Sequence, residues 1–267
     1  RPQLKIIYYI SPQVWAWNRR RIPQMGRYLD LMLCIFPFEA ELYNQSGLRT
    51  VFVGHPMLES LRAKKTATAR ERHLVGLFPG SRSREIRKIL PTMLKAALRI
   101  AEIEPATRFE IAAASPALQR EIAPMVDASR LRLAKVIVAS GDAASTMQRA
   151  QVGVVASGTA TLEAAYFRLP FVLVYRVTWL TYLAARLVVK VKHLGMPNVL
   201  AGREIVPEFI QHHATPNSIA DAMLQLITDG KARSLMISEF DAVIAKLGDE
   251  GASMAAARII LQEIAPV

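Results

Sequence analysis

The sequence has almost no cysteine and no grouping of metal-binding side chains. Cys34 is the only cysteine in 267 residues, which rules out an intrachain disulfide and a thiolate metal cluster. The five histidines show none of the spacings that zinc sites use. These shortages fit a reducing compartment and predict that the chain holds no metal ion.

Two further absences narrow the class of protein. The apolar segment 171–189 is interrupted by Arg176 and Arg186, whereas a membrane-spanning helix needs about 20 mostly apolar residues. Aromatic residues make up 7% of the chain and do not alternate with its basic clusters in any RNA-binding or zinc-finger pattern. We therefore expect neither a transmembrane helix nor a nucleic-acid partner.

The chain has an excess of positive charge. It carries 34 Lys and Arg residues against 22 Asp and Glu residues, which gives a formal net charge of +12. Such an excess favours anionic partners, for example phosphorylated small molecules or an anionic membrane surface. The basic residues are scattered, and each cluster is also compatible with an ordinary solvated face; the clusters lie at 19–21, 62–65, 82–88 and 186–192.

Apolar strands alternate with helices along most of the chain. Hydrophobic residues make up 52% of it, enough for a substantial core. Runs such as 75–78 and 152–156 are almost wholly apolar, which is typical of a parallel sheet covered on both faces. The pattern predicts an α/β fold with a doubly wound parallel sheet. Because a polar, basic stretch follows the third strand, we expect residues 1–56 to be the tail of one Rossmann-like domain and residues 57–267 to form a second domain with helices at its end.

The sequence also predicts individual elements near both termini. Residues 4–10 are rich in β-branched and aromatic side chains and predict a strand, followed by a basic helix from about 17 to 28. Near the C-terminus we expect a helix at 218–228, capped by Asn217 or Ser218. Two more helices are expected after it, at 231–246 and 253–264.

The heptad at 157–163, Ser-Gly-Thr-Ala-Thr-Leu-Glu, is the most informative segment. It follows an apolar run and opens an Ala- and Leu-rich stretch, so small hydroxyls and backbone N–H groups converge at the start of a helix. Glu163 lies one turn into that helix, where it can accept hydrogen bonds from paired hydroxyls such as those of a ribose. The heptad is also compatible with an ordinary capped helix start. The residues that we assign to an anion are Ser157, Gly158, Thr159 and Thr161.

A second anion site is predicted at Gly80-Ser81-Arg82. Gly80 allows the backbone to approach a ligand, and Ser81 can cap a helix that starts near Glu85. Arg82 adds a forked donor suited to phosphate, although a basic helix start facing solvent is the alternative. Both predicted sites follow strands, so they share the carboxyl edge of one sheet, where doubly wound folds bind ligands. Two anion sites on one edge fit a nucleoside diphosphate.

A third polar loop lies at 195–204. Its proline and two glycines indicate a shaped turn, to which Asn198, Arg203 and Glu204 contribute polar groups. From spacing alone, a binding loop and a plain turn before a capped helix are both compatible with it.

Taken together, the motifs resemble those of the lipid-A-disaccharide synthase family. The resemblance covers nearly the whole chain, and its most specific parts are the tryptophan segment and the 197–204 loop. It implies the two-domain GT-B architecture of glycosyltransferases associated with the bacterial inner membrane. In that architecture residues 1–56 would be the remnant of the N-terminal acceptor domain and residues 57–267 the UDP-sugar donor-binding domain. The segments that carry the resemblance, in the family's order, are 11–17 (SPQVWAW), 36–39 (FPFE), 53–56 (VGHP), 80–82 (GSR), 157–163 (SGTATLE) and 197–204 (PNVLAGRE).

The resemblance also implies a reaction and residue roles. Members of the family transfer 2,3-diacylglucosamine from UDP-2,3-diacylglucosamine to 2,3-diacylglucosamine 1-phosphate, releasing UDP and making the β-1,6 disaccharide of lipid A with inversion. Glu163 would hold the ribose, and no metal or other cofactor is implied. The donor diphosphate would meet Gly80, Ser81, Arg82, Ser157, Gly158 and Thr159, and the donor sugar and phosphates would lie near Asn198, Arg203 and Glu204.

The chain departs from the family pattern at its start. The family's early Gly-Glu-x-Ser-Gly-Asp-like segment and the carboxylate proposed as its general base have no counterpart here, and a strand begins almost at Arg1. We therefore expect an upstream segment to have been removed and the base to lie outside this chain. No carboxylate of the chain makes a convincing base; those considered are Glu39, Glu85, Glu163 and Glu204.

Substrates with acyl chains also imply contact with a bilayer. The segment 178–192 combines aromatic, aliphatic and basic residues, so as a helix it could lie among lipid headgroups, or it could be a buried or dimer-interface helix. We expect a cytoplasmic protein, peripheral on the inner membrane, and a homodimer is compatible with the sequence. The candidate membrane contacts are Trp15, Trp17, Trp179, Tyr182, Arg186 and Lys190.

Two other functions are compatible with the same motifs. Another UDP-sugar enzyme of this architecture, such as a UDP-N-acetylglucosamine 2-epimerase, would have a similar nucleotide site. Alternatively, the polypeptide binds UDP or lipid without turnover. Only the tryptophan segment and the 197–204 loop argue against the first alternative.

Overall fold

A computed structural model describes residues 4–129, 136–140, 143–177, 192–248 and 251–264. The described residues divide into two compact units. The smaller unit contains residues 4–63 together with those from Ala242 onward, and the larger contains the rest, from Lys64 to Asp241.

The smaller unit is built on a parallel sheet of order β1-β2-β3. Its central strand, β2, is buried along its whole length. The strands are β1 (Ile7–Tyr9), β2 (Leu31–Cys34) and β3 (Thr50–Phe52), and the helices between and after them are α1 (Val14–Trp17), α2 (Ile22–Met25), α3 (Pro37–Gln45) and α4 (Met57–Lys64).

The C-terminal helix belongs to the smaller unit. Ala256 of this helix, α12 (Ala252–Ile264), packs into one apolar cluster with Leu31, Leu33 and Val53. The sequence pattern alone places the C-terminal helices in the second domain. Strand and helix patterns reveal which face of α12 is apolar but not which sheet covers that face, so the pairing is visible only in three dimensions. The assignment of the two units to an acceptor and a donor domain stays a prediction.

The larger unit is a wholly parallel sheet of order β6-β5-β4-β7-β8-β9, which is the predicted doubly wound α/β fold. The central strands are continuous apolar runs because helices cover both faces. The strands are β4 (Glu71–Phe78), β5 (Arg108–Ala113), β6 (Val136–Ser140), β7 (Ala150–Ala156), β8 (Phe171–Tyr175) and β9 (Glu208–Ile210). The helices are α5 (Ser83–Ile103), α6 (Pro116–Asp127), α7 (Ala143–Arg149), α8 (Ala160–Tyr166), α9 (Met196–Ala201), α10 (Pro216–Thr228) and α11 (Gly230–Ala245), whose last residues, from Ala242, are counted with the smaller unit.

Two predicted details were wrong. The basic helix expected from 17 to 28 is broken, because Asn18 has non-helical dihedrals and a separate short helix, α2, begins at Ile22 with Pro23 in its first turn. The cap of α10 is Thr215, whose hydroxyl accepts a hydrogen bond from the Ser218 N–H, and not Asn217 or Ser218. The edge strand β9 was not predicted, because three residues carry too little periodicity to recognise.

None of the helices in the described part of the chain is both long enough and apolar enough to span a bilayer. Within the same residues, no three side chains of the His, Cys, Asp and Glu types come together in a way that could bind a metal ion.

Candidate nucleotide-sugar site

A pocket of about 380 Å³ opens at the carboxyl edge of the large sheet. It lies where β4, β5 and β7 end, which is where doubly wound sheets bind their ligands. Seven residues that the sequence motifs assign to a nucleotide line this single pocket, so the structure brings the two predicted anion sites together: Gly80, Ser81, Arg82, Ser157, Gly158, Thr159 and Glu163.

The first loop of the pocket is shaped by Gly80. Its φ of +108° is one that residues with a side chain rarely adopt, and a Cβ atom there would lie 2.7 Å from Oε2 of Glu85. The chain thereby turns from β4 into α5, whose N-cap is Arg82 and not Ser81 as predicted. The Arg82 guanidinium donates to Glu85 Oε1 over 2.8 Å, which holds it at the mouth of the pocket while most of its side chain stays exposed.

The second loop turns at Gly158, which has a φ of +146°, and a Cβ atom added there would meet no described heavy atom within 4 Å. Thr159 is the N-cap of α8, but its hydroxyl makes no capping bond. That hydroxyl is therefore a donor beside the pocket, whereas the N–H groups of Thr161 and Leu162 already donate to the carbonyls of Gly158 and Thr159.

Thr161 has a different role from the one predicted. It is fully buried, and its hydroxyl donates to the Gly158 carbonyl over 2.8 Å. The residue therefore stabilises the shape of the loop and does not line the pocket with the others.

The charges of the pocket limit what each side chain can bind. The described lining carries one cation, Arg82, and two carboxylates, Glu85 and Glu163. A diphosphate must therefore be met by Arg82 and by backbone N–H groups, whereas the Glu163 carboxylate repels phosphate and can accept hydrogen bonds from the hydroxyls of a ligand. The arrangement matches a nucleoside diphosphate whose phosphates lie at the loops and whose ribose lies near Glu163.

Residues of the third loop are placed elsewhere. Asn198 is fully buried, where its oxygen accepts from the N–H groups of Ile205 and Val206 and its amide donates to Val206 and Glu208. These bonds use its whole side chain to fold the loop, so the expected contact with a donor sugar is not supported by its position. Sequence alone could not distinguish a structural asparagine from a binding one.

Arg203 and Glu204 also lie away from the described lining of the pocket. Arg203 donates to Glu239 over 2.6 Å, and both Arg203 and Glu204 border a separate cavity of about 260 Å³ beside α10 and α11. Their assignment to the donor stays a prediction without support from this geometry.

Sequence reasoning missed several residues that form the pocket wall. Phe78, Ala112 and Ala156 lie in or at the end of strands that point into it, and Met147 of α7 closes one side. Glu85 was considered only as a candidate base, yet it pairs with Arg82. Burial, together with the nearby Glu85 carboxylate, raises the pKa of Tyr175 at the end of β8. For Phe78 and Ala156, the available signal in the sequence was their position as the last residues of predicted apolar strands.

The candidate membrane contacts are only partly described. The prediction that Trp15 contacts the membrane is wrong. This residue is 6% exposed, and its indole N–H donates to Glu39 Oε1 over 2.8 Å, so it belongs to the core. Trp17 is 43% exposed and remains a candidate. The other four lie outside the described residues: Trp179, Tyr182, Arg186 and Lys190.

Comparison with solved structures defines the class of fold. The chain superposes on the UDP-GlcNAc 2-epimerase from Neisseria meningitidis bound to UDP-GlcNAc with a TM-score of 0.63 and 14% identity, over 98% of this chain and 71% of that one. It also superposes on the pneumococcal O-GlcNAc transferase GtfA, in complex with UDP and GlcNAc, with a TM-score of 0.53 and 12% identity, over 91% of this chain and 47% of that one. The fold is therefore that of the GT-B enzymes.

Sequence comparison then identifies the family. The profile of the lipid-A-disaccharide synthetase family matches residues 1–259. The lipid-A-disaccharide synthase of Nitrosococcus oceani is 38% identical over 92% of this chain and 65% of its own length, and that of Myxococcus xanthus is 36% identical over 98% and 70%. The chain belongs to the lipid-A-disaccharide synthase family, whose members are glycosyltransferases. It spans about two thirds of the length of these relatives.

Proposed function

We propose that the pocket at the carboxyl edge of the large sheet binds the UDP part of a UDP-sugar. The observation that carries the proposal is the convergence of Gly80–Arg82 and Ser157–Thr159 with Glu163 on one cavity of about 380 Å³. Two turns that need glycine bring donors to the diphosphate, and Glu163 accepts from the ribose hydroxyls.

We further propose that the chain supplies the donor site for the family's reaction. In that reaction UDP-2,3-diacylglucosamine transfers its sugar to the 6-hydroxyl of 2,3-diacylglucosamine 1-phosphate, and UDP leaves with inversion at the anomeric carbon. Family membership supports these substrates. As the bond to UDP breaks, negative charge grows on the diphosphate, and Arg82 and the loop N–H groups stabilise it. This assignment uses no metal ion, and we assign the general base to no residue of this chain.

Calorimetric titration with UDP tests the site. We expect Arg82→Ala and Glu163→Gln each to weaken UDP binding by roughly tenfold, because each loses a charge-assisted hydrogen bond. Matched controls are Arg84→Ala, an exposed arginine of the same helix that lies outside the pocket lining, and Glu102→Gln, an exposed glutamate. If both site variants bind UDP as tightly as their controls, the site assignment is wrong.

Product analysis tests the substrate. The chain is given UDP-2,3-diacylglucosamine with the acceptor, or UDP-N-acetylglucosamine alone. Formation of the disaccharide supports the synthase reaction, and epimerised UDP-sugar supports the other class of this architecture. Binding of UDP without any product indicates a donor-binding chain that needs a further part for turnover.

We also propose peripheral binding to the anionic cytoplasmic face of the inner membrane. The net charge of +12 and the exposed Trp17 support it. Vesicle flotation tests it: equal recovery with anionic and neutral vesicles would contradict the proposal. A homodimer stays a prediction, to be tested by the mass of the protein in solution.

A further inference from the structure

A second group of cavities lies at the opposite, amino-terminal edge of the large sheet. Two adjoining cavities of about 400 and 230 Å³ share Arg70 and Ile237. They border the starts of β4, β7 and β8, whereas the nucleotide pocket lies at the ends of β4, β5 and β7. The eight residues of β4 place the two edges roughly 20 Å apart. We call the pair the Arg70 cavity; its described lining is Lys65, Thr66, Thr68, Arg70, Arg72, Gln148, Gln151, Tyr166, Phe167, Arg168, Pro170, Ile227, Thr228, Arg233 and Ile237.

The described lining of the Arg70 cavity contains five basic side chains and no acidic one. Only Arg168 has a described carboxylate partner, Asp241, which lies outside that lining. The chain has 22 acidic residues, yet none of them is in the described lining of this cavity. The electrostatic potential in the cavity is therefore positive. An anion is the ligand that such a cavity selects.

Arg70 builds a positive charge into the floor of the cavity. Its guanidinium donates to the main-chain carbonyls of Met147, Ala150 and Phe167 over 3.0, 2.6 and 2.5 Å, and none of its described bonds reaches a carboxylate. Burial, with repulsion from Arg168, lowers the pKa of Arg70 to about 10, so it remains a cation at neutral pH. The carbonyls hold the side chain in place without neutralising it.

Arg233 and Arg72 supply the donors that remain. Arg233 lines the cavity and uses Nη1 for the carbonyls of Leu226 and Ile227 at the end of α10, and none of its described bonds uses Nε or Nη2. Arg72 is exposed and makes no described hydrogen bond. Guanidinium groups with open N–H pairs are the side chains that best match phosphate oxygens.

The remaining wall suits a phosphate that is attached to carbon. Pro170, Ile227 and Ile237 form an apolar side next to the arginines. We propose that the Arg70 cavity binds a phosphate group, supplied either by an anionic lipid headgroup or by a free phosphate compound. The proposal does not depend on the nucleotide pocket or on the reaction.

Arg72→Gln is the test variant, because this side chain is exposed and makes no described bond, so its loss should leave folding intact. Arg120→Gln is the matched control: Arg120 is also exposed, lies on α6 outside the cavity, and its replacement changes the net charge equally. Equal melting temperatures of the two variants establish that both are folded. One arm titrates inorganic pyrophosphate into the full chain with excess UDP present, and the other measures flotation with phosphatidylglycerol–phosphatidylcholine vesicles against phosphatidylcholine alone.

We expect Arg72→Gln to bind about tenfold more weakly than Arg120→Gln, as loss of one charge-assisted contact requires. A difference in the pyrophosphate arm supports a free phosphate compound, and a difference only with phosphatidylglycerol vesicles supports a lipid headgroup. Identical behaviour of the two variants in both arms would overturn the proposal. If UDP itself fails to bind, the proposed function fails, but the comparison of the two variants still decides this site.

Discussion

The two sheets of this protein have the same parallel topology, yet their carboxyl edges are built differently. Beyond the large sheet the chain turns at Gly80, Ala114 and Gly158, and a pocket remains. Beyond the small sheet the space is filled: the rings of Trp15 and Phe38 meet edge to face, 4.9 Å between centroids. Parallel strands therefore determine where a site can form, and the size of the side chains that follow them decides whether space is left for a ligand.

The filled edge is held together by a buried carboxylate. Glu39 is 1% exposed and accepts hydrogen bonds from the Trp15 indole and from the Phe36 N–H. His55 completes the packing, with its ring 5.1 Å from that of Phe36 and with its Nδ1 accepting from the Met57 N–H. The motifs SPQVWAW and FPFE, which are among those that carry the family resemblance, thus contribute to packing within this unit.

The largest expected effect is on UDP affinity, when an aromatic ring fills the nucleotide pocket as Trp15 and Phe38 fill the edge of the small sheet. Ala114 is exposed and lines the nucleotide pocket, so Ala114→Trp should place an indole in it with little cost to folding. We expect UDP affinity to fall by about a hundredfold, because the overlap of ligand and ring costs as much as overpacking does in a core. Calorimetry measures it, with Ala114→Ser as the control of nearly unchanged volume. Unchanged affinity in Ala114→Trp would place UDP elsewhere.

Removing the buried carboxylate should open the filled edge. Glu39→Ala leaves the Trp15 N–H buried without an acceptor and creates a cavity, so we expect the free energy of unfolding to fall by about 2–4 kcal/mol. Urea denaturation measures this loss. Glu41→Ala, on the same helix but exposed, is the control and should change stability by less than about 0.5 kcal/mol. If Glu39→Ala and Glu41→Ala have equal free energies of unfolding, Glu39 does not stabilise the packing at this edge.

Sequence reasoning predicted the large unit well and the small one less well. The strands from β4 to β8 are apolar runs bounded by turn residues, so their pattern identified them, and parallel topology then placed both anion loops on one edge. Burial of Trp15 and pairing of α12 with the small sheet depend on contacts between distant segments, which no local pattern encodes. Asn198 shows the same limit within the site, since its side chain bonds to residues 7 to 10 positions away.

Replacing a glycine at the carboxyl edge of the large sheet should lower UDP affinity more than replacing a glycine elsewhere. Gly80→Ala forces a strained φ and pushes Glu85 away from Arg82, so we expect UDP affinity to fall by roughly tenfold along with a modest loss of stability. Gly47 is the matched control, because its φ of +79° carries similar strain but its Cβ position is empty and it belongs to the smaller unit. Gly47→Ala should lower stability without changing UDP affinity. Equal losses of affinity in both variants would contradict a specific role for Gly80.

The smallest effect is a difference in pH dependence between carboxylates of the two units. Burial raises the pKa of Glu39, so the folded protein binds its proton more tightly than the unfolded chain does. Its contribution to stability is therefore present below the ordinary glutamate pKa and is lost as the pH rises through the folded value. In the larger unit, hydrogen bonds from Arg149, and then from Arg108, lower the pKa of Glu71, so its contribution is present above the ordinary pKa and is lost as the pH falls.

Urea denaturation of Glu39→Gln and Glu71→Gln between about pH 2 and pH 7 measures this difference, because the lowered pKa of Glu71 places its change below the ordinary glutamate value. Relative to the unaltered chain, Glu39→Gln should become more stable as the pH rises, by less than about 1.4 kcal/mol per pH unit, which is the limit for one proton. Glu71→Gln should instead lose most at neutral pH and regain stability on acidification, with a smaller slope because its ion pairs are partly exposed and screened. Slopes of the same sign would show that the two carboxylates are not held in opposite environments.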